Sequence, residues 1–213
     1  MLLATVSYVL FIGLTVAVAQ HVAFAIDQTW LATARSWTQL TSLWNLLSDA
    51  ANYPLIAIGV GIVLWLFWKG RRQEAILVIA VLAACTAGSE LVKQLVGRER
   101  PLGTDPNIPG VVYSYPSGHV LEAATIFGII SIMLWRGTWP TWAKVAVAVG
   151  SALFVLAVGV ARVALAEHFP TDAIAGLLAG VGDLAVFAAL TPRHEGRRAT
   201  PVRAHRPLGE STG

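Results

Sequence analysis

The stretch AKVAVAVGSALFVLAVGVARVALAEHFPTD, residues 143–172, decides the architecture. Residues 145–161 contain no Asp, Glu, Lys or Arg. A helix crossing the hydrocarbon core of a bilayer needs about 20 mostly apolar residues, and 143–163 provides such a run. Directly beyond it the composition changes, with Arg162, His168 and Asp172 in quick succession. A charge near or inside a bilayer costs ~2.5–3.5 kcal/mol even on the lenient insertion scale. Charges at the end of a greasy segment therefore point to a site.

Working outward, the same reading applies to the whole chain. Six segments are long and apolar enough to span: 4–25, 53–68, 74–94, 119–135, 143–163 and 172–191. Lipid leaves no partner for unpaired backbone groups, so such runs span as helices. They are too long for barrel strands and lack strict alternation. Only 13% of the 213 residues are charged, against about 25% in a soluble domain. The expected fold is all-α, an integral membrane six-helix bundle. It forms one domain over 1–191, with its core at 50–191, followed by a basic, disordered tail at 192–213. The lone cysteine, Cys85, allows no intramolecular disulfide and reads as a small core residue.

Between the first two spans, Trp30, Trp37 and Trp44 recur every seven residues, with Ile26, Leu40 and Leu47 on much the same helical face. Gln28, Ser36, Gln39 and Asn45 keep the rest polar. The pattern predicts an amphipathic helix over 26–50, lying in the interface or packed over the bundle. Ala17-Val18-Ala19 has the look of a cleavage site, but no Lys or Arg precedes the apolar run, so the first segment is expected to stay as a span. Gly176 and Gly180 form a small-xxx-small pattern, read as close packing within the bundle ahead of dimerisation. No feature assigns an oligomeric state.

Ten of the 15 Lys and Arg residues lie in three places: the turn 69–73, the turn 136–144 and the tail. The positive-inside rule makes these cytoplasmic, together with both termini. Trp65, Trp68, Trp135, Trp139 and Trp142 fit the inner interface. Counting crossings then gathers three polar clusters on the outer face. They are Lys93 with Arg100-Pro101, Ser117-Gly118-His119, and Arg162 with His168 and Asp172.

Their chemistry suits phosphate. Arginine matches phosphate oxygens bidentately and lysine acts as a point charge. Ser117 adds a hydroxyl, and Gly118 opens a helix whose free N–H groups favour an anion. Two histidines suffice for a double displacement, one attacking phosphorus and one protonating the leaving oxygen. Asp172, four residues after His168, is placed to hold an imidazole tautomer. Glu90 and Glu122 share helix faces with Lys93 and His119, Arg98 is placed to steer an anionic head group, and Asp183 reads as paired inside the bundle. Nucleic acid is excluded as a partner, because no basic stripe with interleaved aromatics is present.

Lys93-x6-Arg100-Pro101, Pro116-Ser117-Gly118-His119 and Arg162-x5-His168-x3-Asp172 together resemble the three-part signature of the type 2 phosphatidic acid phosphatase family. That family holds membrane phosphatases for phosphatidate, phosphatidylglycerophosphate and polyprenyl diphosphates, and is related to vanadium haloperoxidases. The resemblance covers about residues 50–191. It implies a lipid-phosphate substrate and no metal or other cofactor. It makes His168 the nucleophile through a phosphohistidine, Asp172 its orienting partner, and His119 the acid and later the base. Lys93, Arg100, Ser117, Gly118 and Arg162 would bind phosphate. One departure is Ala161, where the family usually has Ser; the lost hydroxyl is worth ~0.5–1.5 kcal/mol as a hydrogen bond.

The expected activity is hydrolysis of a polyprenyl diphosphate or a phosphatidate-type lipid, with a lean toward the former. Phosphotransfer to an acceptor lipid uses the same intermediate. A non-catalytic lipid-phosphate transporter or receptor needs the cations but not His168, His119 and Asp172 together. The topology is directly testable. A cysteine at Thr104 in a Cys85→Ala background is expected to react with an impermeant thiol reagent on intact cells. Labelling only after lysis would reverse the orientation.

Overall fold

A computed structural model describes residues 1–101 and 113–191. The chain forms α1 (Leu2–Ala19), α2 (Ala25–Arg35), a 3-10 turn (Thr38–Leu40), α3 (Thr41–Ala50) and α4 (Tyr53–Trp68). There follow α5 (Arg72–Val96), α6 (Gly118–Arg136), α7 (Thr141–Ala164) and α8 (Pro170–Leu190). Six stretches are long and apolar enough to cross a membrane, as the sequence predicts. Large apolar side chains stay exposed along them, such as Val9, Leu10, Val60, Leu64, Leu153 and Leu156. A contiguous apolar exterior of this kind is a lipid-facing surface. The tail and the loop 102–112 lie outside the described residues.

Span boundaries depart from expectation mainly at the first helix, which stops at Ala19 instead of 25. The cause is local. His21 takes φ +58, its N–H bonds to Val18 O, and the Val22 N–H bonds back to Ala17 O, both at 3.0 Å. This pair of bonds is a Schellman cap, which closes a helix on a left-handed residue.

Residues 26–50 are two short helices, not one amphipathic helix. The hydroxyls of Thr29, Thr33 and Ser36 each bond to a carbonyl three or four residues earlier. Such back-bonding competes with the helical ladder, and the helix gives way at Ser36. Trp37 and Trp44 still meet, with ring centroids 5.9 Å apart. Both helices pack over α7, and α2 also touches α8. The apolar stretch 41–68 is thus 28 residues long, interrupted at Ala51-Asn52.

α8 is the central element, packed chiefly on α6 and α1. Against α6 the two backbones nearly touch. A Cβ on Gly176 would lie 2.5 Å from Ser117 O, and one on Gly180 would lie 2.8 Å from Ala124 Cβ. The small-xxx-small face is therefore spent on packing within the bundle. Against α1, Tyr8 donates its hydroxyl to Asp183 Oδ1 at 2.5 Å, which gives the mid-helix carboxylate its partner. At the basic end, Arg136 donates to the carbonyls of Ala188 and Thr191 and Lys144 to that of Trp135, satisfying helix C-termini.

Gly176→Ala is expected to push α8 off α6 and to destabilise the protein by ~1–3 kcal/mol, the usual cost of overpacking. Gly61→Ala, with nothing within 4 Å of its added Cβ, is the control. Thermal unfolding in detergent compares the two.

Candidate active site

The ends of α5 and α7 and the starts of α6 and α8 meet opposite the basic turns. The Ser117 N–H at the head of α6 donates to Asp172 O at 3.0 Å, locking it to the first turn of α8. Lys93 reaches over from α5, with Nζ 3.7 Å from the Cβ position of Gly118. Arg100, just beyond α5, and Arg162, in the last turn of α7, share the carboxylate of Glu167. Half-buried His119 lies within electrostatic reach of Arg162, His168, Lys93 and Arg100. All eight residues singled out from the sequence therefore come together at one end of the bundle.

His168 is buried to 2% exposure. Its Nδ1 lies 2.7 Å from Ser114 O and 3.6 Å from Asp172 Oδ2. A backbone carbonyl only accepts, so Nδ1 carries the hydrogen and Nε2 keeps its lone pair. Burial pushes the imidazole below the ordinary histidine range, and the hydrogen bond and charge of Asp172 oppose this. The ring is thus neutral near pH 7. Asp172, expected to hold the tautomer, lies beside the ring, and the closer partner of Nδ1 is the Ser114 carbonyl. That carbonyl is fixed in turn, since Ser114 N–H donates to Arg98 O at 2.8 Å and Glu99 bridges to Tyr113.

Asp172 is fully buried and committed elsewhere. Its Oδ2 accepts the Phe169 N–H at 2.8 Å, closing the N-terminal turn of α8. Its Oδ1 accepts from Arg98 Nη1 at 2.6 Å. Arg98 also donates to Thr171 Oγ1 at 2.7 Å and to Asp27 Oδ2 at 2.7 Å, and lies 3.9 Å over the Phe169 ring. Asp27 accepts both the backbone N–H and the hydroxyl of Thr171, at 2.9 and 2.8 Å. Arg98 is therefore not a steering charge in a loop. It is an internal clamp between two buried carboxylates.

The remaining cations are held less completely. Arg162 Nη1 donates to Ser48 Oγ at 2.6 Å, and Lys93 pairs with Glu90 at 2.5 Å as its helix face predicts. Glu122 accepts from Thr86 at 3.4 Å, facing a groove between α4, α5 and α6. Among the described residues, Arg100 Nε, Arg162 Nε, Ser117 Oγ and Ser89 Oγ are buried without a hydrogen-bond partner. Three of these four groups are on residues whose chemistry suits phosphate, and a buried polar group left without a partner is uncommon.

Sequence reasoning missed Asp27, Ser48, Ser114, Glu167 and the clamp role of Arg98. Asp27 and Ser48 sit in a tryptophan-rich stretch that reads as interfacial. Ser114 acts through its backbone, which leaves no side-chain signal.

The fold and site define a six-span helical membrane protein with cationic and histidine side chains clustered at one end of the bundle. Residues 74–195 match the model of the PAP2 superfamily, and the chain belongs to that superfamily. It is 27% identical over 161 residues to Phosphatidylglycerophosphatase B of Bacillus subtilis (strain 168), covering 75% of this chain and 74% of the relative. It is 29% identical over 168 residues to an Undecaprenyl-diphosphatase of Sulfolobus acidocaldarius, covering 76% and 75%. The solved structure of a transmembrane PAP2 type phosphatidylglycerolphosphate phosphatase from Bacillus subtilis superposes with a TM-score of 0.71 at 20% identity. The match covers 89% of this chain and 96% of that one.

Removing Arg98 strands two buried carboxylates. Breaking a buried ion pair in this way costs ~3–5 kcal/mol. Arg98→Ala is expected to lose stability on that scale, and Asp27→Asn in the same chain to recover part of it. A double-mutant cycle on thermal unfolding measures the coupling.

Proposed function

We propose that the protein is a membrane lipid phosphatase that works through a phosphohistidine on His168 without a metal ion. The observation that carries this is a buried imidazole whose Nδ1 lies 2.7 Å from a backbone carbonyl. Its Nδ1 hydrogen is held by Ser114 O, so the free Nε2 is the nucleophile, beside two arginines with unpartnered N–H groups.

The chemistry follows from those positions. The phosphoryl group sits among Lys93, Arg100, Ser117, the Gly118 N–H and Arg162. Nε2 of His168 forms a bond to phosphorus as the bond to the lipid oxygen breaks. His119 gives that oxygen its proton, so the lipid leaves as an alcohol, or as a monophosphate when the substrate is a diphosphate. The imidazole becomes cationic, and the carboxylate of Asp172 stabilises it. Water then attacks phosphorus, His119 takes its proton, and the P–N bond breaks to release inorganic phosphate. Three fixed cations supply the charge stabilisation that a metal supplies elsewhere.

An apolar cavity of about 170 Å³ adjoins this centre. Trp30, Trp37 and Pro170 line it together with Val120 and Val163, which follow His119 and Arg162 in the chain. It suits a hydrocarbon tail that stays at membrane level while the phosphate enters the cradle. The relatives named for phosphatidylglycerophosphate and undecaprenyl diphosphate bracket the substrate class as lipid phosphates. The site faces the extracytoplasmic side, in keeping with the basic turns at the opposite end.

Purified protein with EDTA, offered polyprenyl diphosphate, phosphatidate and phosphatidylglycerophosphate, is expected to release inorganic phosphate from at least one. His168→Ala is expected to lower the rate by about 10³-fold or more, as for other covalent nucleophiles, and His119→Ala by ~10²–10⁴-fold. Equal release by wild type and His168→Ala sinks the mechanism, and a strict need for added divalent metal overturns its metal independence. Transfer of phosphate to an acceptor lipid without free phosphate would assign phosphotransfer.

The pH profile is a separate test. Because burial holds His168 below the ordinary histidine range, it stays neutral as pH falls through about 6.5. The acid limb of kcat/KM is therefore expected below pH ~6.5. The unfolded chain binds that proton first, so the stability attached to the neutral ring declines on acidification through the same window.

A further inference from the structure

Glu167 belongs to no part of the three-cluster pattern, yet its carboxylate lies at the centre of the site. Its Oε2 accepts from Arg100 Nη1 at 3.2 Å and also pairs with Arg162 Nη2. One oxygen thus serves two guanidinium groups that would otherwise repel each other. The local backbone aims it there. At the end of α7, Ala166 takes φ +53, the Ala166 N–H bonds to Val163 O, and the Glu167 N–H bonds to Arg162 O at 3.1 Å. This Schellman turn reverses the chain immediately after Arg162 and returns Glu167 onto it.

Exposure differs across the trio. The side chain of Glu167 is 33% exposed, against 15% for Arg100 and 6% for Arg162. The carboxylate therefore lies on the open side of the pair, with its backbone fixed and its side-chain torsions free to carry it outward. It also leaves the pair incompletely satisfied, since Nε of both arginines has no partner among the described residues. A tetrahedral phosphoryl group, with three non-bridging oxygens, can engage donors that a single carboxylate oxygen does not reach.

We propose that Glu167 is a resident counter-anion of the phosphate cradle. It occupies the Arg100–Arg162 pair between turnovers and gives the pair up to the incoming phosphoryl group. This rests on the phosphatase reading above and deepens it. The carboxylate offsets one of the two positive charges and keeps the arginines in place. It also competes with every anion that binds there, so it weakens retention of the phosphate product. Glu167 is a specificity-determining residue, favouring highly charged phosphoryl groups over weakly charged anions.

Glutamine keeps the shape and the acceptor but removes the charge. In Glu167→Gln, inorganic phosphate and orthovanadate are expected to inhibit roughly tenfold more tightly, the equivalent of ~1.4 kcal/mol. KM for a short-chain lipid phosphate is expected to fall with the inhibition constants while kcat does not rise. A purely structural clamp predicts the reverse, with weaker inhibition and a higher KM as the arginines lose their alignment. Unchanged or weaker inhibition in a variant with the wild-type unfolding temperature overturns the proposal. If Glu167→Gln does not fold, Glu167→Asp, whose shorter carboxylate reaches the pair less well, is expected to tighten inhibition by a smaller factor; no tightening there overturns it. Wild-type inhibition by phosphate that disappears in Arg162→Ala verifies the cradle independently. Its absence in an active wild type would bring down the cradle reading and this proposal with it.

Discussion

The site depends on Arg98 lying between the buried carboxylates of Asp27 and Asp172. A guanidinium and two carboxylates held away from water are stable together only if nearly every donor and acceptor is engaged. Here they are, through Thr171, the Phe169 N–H and the face of the Phe169 ring. The clamp joins α2, the chain after α5 and the start of α8. The Ser117 N–H bound to Asp172 O extends it to α6. Once those ends are fixed, the Ser114 carbonyl has one position, and so does the imidazole it orients.

Behind the clamp charges are satisfied, whereas in front of it they are not. Arg98 uses both terminal nitrogens on protein oxygens. Arg100 and Arg162 share one carboxylate and keep their Nε groups unpartnered, and Ser117 Oγ lacks a partner as well. A half-satisfied polar cluster is costly in a folded protein. That cost falls as a ligand completes the set, and among the described residues Arg98 is saturated while Arg100 and Arg162 are not. Sequence position gives no hint of this division, since Arg98 and Arg100 are separated by a single residue.

That contrast also explains what could be read from the sequence. Apolar run length and charge placement gave the spans to within a few residues, because lipid imposes a single solution on such runs. The eight candidate residues that the fold brings together stand out because polar groups at helix ends are rare in a membrane chain. Roles carried by backbone or by distant partners do not. Asp27 gains its meaning from Thr171, 144 residues away, and Ser114 acts through a carbonyl that every residue has. Glu167 carries no signal in the sequence pattern, and the left-handed turn at Ala166 directs it onto the arginines.

The stretch 25–50 changes standing most. Its tryptophans suggest a passive interfacial element, and Trp30 and Trp37 do line the apolar cavity. Its polar residues do more, since Asp27 completes the clamp and Ser48 gives Arg162 a hydroxyl. Ala161, the one departure from the signature, is fully buried. A hydroxyl there would need a partner of its own, whereas the Ser48 hydroxyl of α3, which packs on α7, accepts from the neighbouring Arg162. The cover over this end of the bundle is therefore tied to the polar cluster beneath it: a change in its packing acts on Arg162 directly and on Asp172 through Arg98.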